Sequence, residues 1–296
     1  MGRAQCSVTV QPTSTHSDSA NSAKRASGIA ELRELLAGGR VFALTGAGVS
    51  TDSGIPDYRD EHGTWKGREP IQYRDFVASD AVRRRYWARS MLGFPLMASA
   101  TPNAAHYAIA ELSARGALSL LVTQNVDGLH HRAGCRDDSV VDLHGRLDQV
   151  RCLGCGALTE RAALQSELLA RNLEFVRASA EFKPDGDAEL GDVDYQQFEI
   201  VACRQCGGIL KPHVVFFGEN VPADRVTRAM TALEQAKLLL IVGTSLMVFS
   251  GFRFARAAAR FGVPIAIVNR GITRADELSA LTIRENVAEV LSEAIR

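Results

Sequence analysis

Three groups of residues in this 296-residue chain have types and spacings that could do chemistry. The first is Thr45-Gly46-Ala47-Gly48, directly after the apolar run Val41–Leu44. Two glycines one residue apart let a backbone approach a phosphate without Cβ interference, and backbone N–H groups in such a turn suit an anion. Ser50, Asp52, Ser53, Pro56, Asp57 and Arg59 crowd polar groups behind the turn, which a purely structural turn does not need. A dehydrogenase fingerprint would continue to a third glycine, a long helix and an acid about 20 residues on. Here the third position is Thr51 and Gly54-Ile55-Pro56 breaks any long helix, so the expectation is a dinucleotide site of another design.

The second group is Cys152-x-x-Cys155 and Cys203-x-x-Cys206. Two such knuckles suit tetrahedral zinc with no open position, hence a structural ion. The 47 residues between Cys155 and Cys203 exceed compact ribbon spacing, but loop length adds little closure entropy. Of the other cysteines, Cys6 falls in the N-terminal tail and Cys135 reads as a packed or exposed thiol rather than a nucleophile. Six cysteines in a chain this long do not suit a disulfide scaffold, and a reducing cytoplasmic compartment is expected.

The third is His144, in Leu143-His144-Gly145. Most histidines are packed or surface residues. His144 differs by standing at a strand end, beside a glycine, on the edge where open α/β sheets bind ligands. An imidazole there can accept a hydroxyl proton near neutrality. Gln124-Asn125-Val126-Asp127 ends the preceding strand at the same edge, whereas His130, His131 and His213 flank motifs without sharing all three features.

The elements that must position these groups alternate. Val41–Leu44, Leu118–Thr123, Val140–Leu143, Val214–Phe217, Leu238–Val242 and Pro264–Val268 read as strands, and the continuous apolar run Leu118–Thr123 as one in a sheet covered on both faces. Helical patterns at 29–37, 80–91, 101–115, 161–171, 223–236 and 251–261 lie between or beside them. This predicts an α/β protein with a Rossmann-like, doubly wound parallel sheet and a smaller zinc-binding domain. Residues 1–27, rich in Ser and Thr, are expected to be disordered. The large domain is assigned to 28–65, 101–150 and 210–296, and the small domain to a helical part, 66–100, and a zinc module, 151–209. The charged, Gly-rich stretch Asp60–Arg74 reads as a loop over the nucleotide.

Composition narrows the class. Lys+Arg and Asp+Glu are 34 each, so the net charge is zero, against a nucleic-acid binder. No apolar run reaches the roughly 18 residues of a membrane span, and no secretory signal is seen.

Gly46-Ala47-Gly48-Val49-Ser50 with Gly54-Ile55-Pro56-Asp57-Tyr58-Arg59 resembles the signature of the sirtuins, NAD-dependent protein deacylases. Thr123–His130, Leu143-His144-Gly145, both cysteine pairs, Leu210–Glu219, Gly243-Thr244-Ser245-Leu246 and Val268-Asn269-Arg270-Gly271 extend the resemblance in family order over residues 28–296. It implies that Gly46, Ala47, Gly48 and Ser50 contact the NAD phosphates and that Ile55, Pro56, Asp57, Tyr58 and Arg59 line the nicotinamide side. It further implies that Gln124, Asn125, Val126 and Asp127 hold the nicotinamide ribose and carboxamide. Gly243, Thr244, Ser245, Asn269, Arg270 and Gly271 would surround phosphates and adenosine ribose, with Val287 behind the adenine. His144 and Asn125 would be catalytic. An acyl-lysine peptide would add as a strand at Val215 and Phe216, and the chemistry needs no side-chain nucleophile. Products would be free lysine, nicotinamide and O-acyl-ADP-ribose.

Tyr86 and Arg89, three apart on a helix face, resemble the Tyr-x-x-Arg pair with which one sirtuin branch grips acidic acyl chains. With the Pro184-Asp185-Gly186-Asp187 loop they point to the class II, lipoamidase-type branch. Alternatives are mono-ADP-ribosyl transfer from NAD, or a non-catalytic NAD-sensing zinc module. The expected partner is an acyl-lysine protein or peptide, with no nucleic acid or membrane and a monomer by default.

Overall fold

The computed structural model describes residues 15–60, 62, 64, 70–177, 180–182, 188–190 and 194–295. Six parallel strands form the main sheet: β1 (Val41–Thr45), β2 (Leu118–Thr123), β3 (Val140–Asp142), β9 (Leu238–Val242), β10 (Ile265–Val268) and β11 (Leu281–Ile283). Their order is β11-β10-β9-β1-β2-β3. The chain runs outward from β1 to one edge, then restarts beside β1 at β9 and runs to the other edge. This is the doubly wound order, and its switch point lies between β1 and β9, where such sheets open a ligand crevice.

Period-two alternation splits the strand side chains between two helix layers. Val41, Ala43, Leu121, Leu238 and Leu240 pack with helices α1 (Thr15–Ala37), α4 (Ala104–Ala114) and α9 (Val287–Ala294). Phe42, Leu44, Leu120, Leu239 and Ile241 pack against α7 (Ala223–Glu234) and α8 (Phe249–Phe261).

The tail expectation is corrected in part. Residues 1–14 lie outside the described residues, but helix α1 begins at Thr15 rather than near Ile29. Arg25 is paired with Glu293 at 3.1 Å, and Arg33 donates to the Glu293 carbonyl at 2.7 Å, so α9 holds the polar part of α1. Local composition carries no sign of a partner 260 residues away.

The smaller layer is an antiparallel sheet, β5-β4-β8, made of β4 (Gly145–Cys152), β5 (Leu158–Glu160) and β8 (Leu210–Val214). Its Gly145–Val214 pair joins two segments that the sequence reading assigned to the large domain. The predicted strand Val214–Phe217 is displaced: β8 ends at Val214 and residues 215–217 continue as loop. Helices α2 (Tyr73–Ala78), α3 (Asp80–Ser99) and α6 (Arg161–Arg171) pack on this layer through Phe76, Trp87, Met91, Leu164 and Leu168. The described elements also include a short hairpin, β6 (Ala180–Phe182) with β7 (Ala188–Leu190), and α5 (Leu129–Arg132).

Helix α3 runs past the predicted end at Met91, through Pro95, to Ser99. Proline removes the N–H that would bond the carbonyl of residue 91. The Gln165 side-chain amide donates to the Met91 oxygen at 2.7 Å, so the orphaned acceptor is satisfied and the helix continues. Parts of the 60–74 loop and the Pro184–Asp187 loop fall outside the described residues.

Candidate active site

Every loop that leaves the carboxyl end of the main sheet opens onto one cavity of about 630 Å³, within the size range of small-molecule sites. Gly46, Ala47, Gly48 and Ser50 follow β1, and Gln124, Asn125, Val126 and Asp127 follow β2. His144 follows β3, Gly243, Thr244 and Ser245 follow β9, and Asn269, Arg270 and Gly271 follow β10. Ile55, Asp57, Tyr58, Arg59, Tyr86, Val215, Phe216 and Val287 complete the predicted residues that line it. Pro56 and Arg89 do not line it; Arg89 is buried within α3.

The glycines of the first turn serve a neighbouring loop as much as a ligand. A Cβ on Gly46 would come within 2.5 Å of the Thr244 side chain, and one on Gly48 within 2.9 Å of the Gly243 oxygen. Gly46 N–H donates to Val242 O at 3.1 Å and Gly48 N–H to Gly243 O at 2.8 Å. The loops after β1 and β9 are thus laced together at the switch point, and their closeness requires the missing side chains.

Behind them lies a polar chain. The Asn103 N–H donates to His106 Nδ1 at 3.3 Å, so the proton of this neutral ring is on Nε2, which lies 3.5 Å from Ser50 Oγ. Ser50 in turn donates to Asp127 Oδ2 at 2.7 Å and accepts from Asn125 Nδ2 at 3.1 Å. Asn125 also donates to the Gly46 oxygen at 3.0 Å, which ties the β2 loop to the glycine turn. Burial pushes the Asp127 carboxyl up, opposed by the Leu129 N–H and the Ser50 hydroxyl. Burial lowers His106 to about 4, aided by Arg132. Ser50 is therefore buried and engaged within this chain.

His144 is placed by two strands. Its carbonyl accepts from Val215 N–H at 2.8 Å, and Gly145, with φ +82°, brings the chain so close to β8 that a Cβ would fall 2.0 Å from the His213 oxygen. Nδ1 lies 3.0 Å from the Gln124 carbonyl oxygen, which only accepts, so the neutral ring carries its proton on Nδ1. Nε2 keeps its lone pair and meets the Ser250 hydroxyl at 2.8 Å. Burial lowers His144 to about 4, with smaller contributions from Arg225 and Arg253 against the Gln124 hydrogen bond. The ring is a neutral base at pH 7. Ser250, in the first turn of α8, lines the cavity and was not expected from sequence. Only its contact across 106 residues with His144 gives it a role.

The cavity wall around Phe216 is aromatic. Phe216 meets Phe76 and Tyr86 edge-on, each at 5.2 Å between ring centroids. Lys211, buried and paired with Glu219 at 2.9 Å, lies 4.6 Å from the Phe216 centroid, while Glu219 also accepts from Phe216 N–H. Tyr73 N–H donates to the Phe217 oxygen at 2.8 Å. These contacts fix the loop for which the family resemblance implies peptide binding. At the opposite end, Asn286 caps α9 and donates to Asp52 at 3.0 Å, setting Val287 at the cavity wall.

The four cysteines converge. Their sulfurs lie within 4.8 Å of one another, with Cys152 to Cys206 at 3.5 Å and Cys155 to Cys203 at 3.8 Å. Tetrahedral zinc with legs of about 2.3 Å spaces its sulfurs by roughly 3.8 Å, so the set fits that ion. All four are free thiols. Cys135 is buried and its thiol is pushed up to about 11 by burial, which makes it inert.

Comparison with known proteins agrees with this geometry. The Sir2 family model matches residues 46–250. NAD-dependent protein deacetylase 2 of Bradyrhizobium diazoefficiens is 54% identical over 253 residues, covering 86% of this chain and 92% of that protein. The NAD-dependent protein deacetylase of Bordetella bronchiseptica is 52% identical over 272 residues, covering 92% and 98%. A Sir2 enzyme structure, 31% identical, superimposes with a TM-score of 0.71 over 91% of this chain and 96% of its own. A Sir2–p53 peptide–NAD+ complex, 29% identical, gives 0.67 over 88% and 94%. The switch-point cavity, the neutral histidine and the cysteine tetrad thus coincide with a match over most of the sequence, and the chain belongs to the Sir2 family, the sirtuins.

Proposed function

We propose that this protein is an NAD-dependent protein-lysine deacylase, which moves the acyl group from lysine to ADP-ribose and releases nicotinamide. The observation that carries this is His144: a neutral imidazole with Nε2 as acceptor, in a cavity walled by the glycine loops on one side and the 214–219 segment on the other. NAD, when bound, supplies the electrophilic ribose carbon and the ribose hydroxyls. The protein's part is to hold and orient. The loops after β1, β9 and β10 form the phosphate side, and Asn125 and Asp127 stand on the nicotinamide side, already fixed by Ser50. His144 Nε2 takes a hydroxyl proton while Nδ1–H stays on the Gln124 carbonyl, so the ring does not tumble during transfer. The Val215–Gly218 segment supports main-chain pairing with a peptide, which gives affinity with loose sequence demands.

The relatives are named deacetylases, which makes acetyl-lysine the first substrate to test. The lipoyl-type preference has weaker support: Tyr86 lines the cavity, whereas its partner Arg89 does not. ADP-ribosyl transfer and non-catalytic NAD sensing gain no observation of their own. The thiol tetrad supports a reducing, cytoplasmic location; among the described residues no helix is long and apolar enough to cross a membrane.

The test is a panel of acetyl-, succinyl-, glutaryl- and lipoyl-lysine peptides with NAD, read by product mass, with Arg89→Met beside the wild type. O-acyl-ADP-ribose and free lysine are expected. A protein that gains ADP-ribose instead, or no acyl transfer from any peptide, overturns the proposal.

A further inference from the structure

Arg253 stands one turn into α8 and lines the cavity. Its guanidinium carbon lies 5.3 Å from the Phe249 ring centroid. Stacking of this kind restrains the fork without neutralising it. Its Nε is enclosed by protein and has no hydrogen-bond partner. Among the described residues no ion pair involves it, whereas Lys211 has Glu219 and Arg225 donates to His213 Nε2 at 3.1 Å. The charged groups whose field reaches His144 are Arg225 and Arg253, both cations. The wall beside the imidazole is therefore positive, with one half-buried guanidinium whose Nε donor is unmet.

A partly buried cation with an unmet donor gains from an anion that can accept from it. The planar arginine fork matches a carboxylate in particular. The glycine loops that would take a dinucleotide's phosphates lie at the β1/β9 switch point. Arg253 instead follows Ser250, on His144, and Gly251, whose Cα sits against the Gln124 side chain. An acetyl-lysine amide carries no charge and leaves this donor set unused.

We propose that Arg253 is a carboxylate-recognising position on the substrate side of the cavity. The carboxylate belongs to the acylated substrate, either on the acyl chain or on an Asp or Glu beside the modified lysine. This rests on the deacylase reading above.

The experiment uses the full chain with NAD and three peptide types: acetyl-lysine with neutral flanks, acetyl-lysine with Asp or Glu at each flank in turn, and succinyl-lysine with neutral flanks. Wild type, Arg253→Lys, Arg253→Met and Arg253→Glu are compared by the ratio of kcat/KM for each acidic peptide to that for the neutral one. Loss of a charged hydrogen bond predicts a ratio about tenfold lower in Arg253→Met, an intermediate value in Arg253→Lys and the lowest in Arg253→Glu. The arm in which the ratio falls identifies the source of the carboxylate. Ratios unchanged in every arm overturn the proposal, as does a loss of NAD affinity that lowers all peptides equally. Peptide affinities measured by titration calorimetry for wild type and Arg253→Met decide the matter even if turnover is absent. In that case the deacylase reading fails and weaker acidic-peptide binding still supports Arg253. Equal affinities then overturn it. Arg253→Lys, which keeps the charge and the stem, guards against a folding defect.

Discussion

The Ser250 hydroxyl meets, at 2.8 Å, the ring nitrogen of His144 that the proposed deacylation would use as its base. A hydroxyl that donates to Nε2 stabilises the neutral ring and disfavours the imidazolium. Removing it in Ser250→Ala raises the His144 pKa above its value of about 4. A base is active when unprotonated, so activity is present above that pKa and falls as pH drops through it. The acidic limb of the kcat/KM profile is expected to move to higher pH, by about 0.7 unit for a hydrogen bond of about 1 kcal/mol. An unmoved limb with altered kcat would leave Ser250 a packing residue.

Replacing the base itself has a different signature. His144→Ala is expected to lower kcat by about 10²- to 10⁴-fold. NAD affinity should persist, because the phosphate-side loops are laced to one another rather than to residue 144. Calorimetric titration with NAD alongside single-turnover kinetics separates the two, and a parallel loss of binding would argue against a purely chemical role.

Zinc should be stoichiometric and structural. Cys203→Ser is expected to lose the ion and to lower the melting temperature by several degrees, since binding free energy in such a site is folding free energy. Elemental analysis of the purified chain reads one zinc for wild type. A wild-type protein without zinc that melts as a single cooperative unit would contradict this.

Burial of two imidazoles makes stability fall with acidity. His106 and His144 are both lowered to about 4 from the 6.5 of a free imidazole, which an unfolded chain approaches. Between those values the unfolded state binds the additional protons, so each ring removes stability as pH falls from 6.5 toward 4 and has no effect above 6.5. The urea midpoint is expected to drop over that window, and His106→Asn should flatten the drop. A wild-type midpoint that holds steady from pH 7 to 4.5 would refute the assignment.

Gly145→Ala tests the close approach of β4 to β8. The added Cβ falls 2.0 Å from a backbone oxygen at φ +82°. Relief requires separating the strands that place His144, and a loss of about 2 kcal/mol or more is expected from denaturant unfolding. Gly156→Ala, also at positive φ (+77°) but with no atom within 4 Å of its Cβ position, should cost clearly less. Equal losses would mean that backbone strain, not contact, decides.

Five of the six main-sheet strands were legible because they are short, mostly apolar runs whose fate is local, whereas the edge strand Leu281–Ile283 was not foreseen and Val214 of the predicted strand Val214–Phe217 belongs to the smaller sheet. Leu118–Thr123 and Leu238–Val242 have the predicted bounds, as does helix Arg161–Arg171. Strand β4 was not legible: Gly145–Cys152 carries Arg146, Asp148, Gln149 and Arg151 and becomes a strand by pairing with β8, 60 residues on. The extension of α3 beyond Pro95 was hidden for the same reason, since the Gln165 amide that rescues it comes from another helix.

By itself the sequence determined the parallel sheet, the ligand edge and the cysteine tetrad, because apolar runs, glycine turns and Cys-x-x-Cys spacing act within a few residues of themselves. The tertiary structure alone decided which tautomer His144 adopts, that Ser250 is its partner, that Gly46 and Gly48 make room for the loop after β9, and that Arg253 rather than Arg89 reaches the cavity. Each of those depends on a contact between segments far apart in the chain, and burial, hydrogen-bond partners and charge fields exist only once those segments meet.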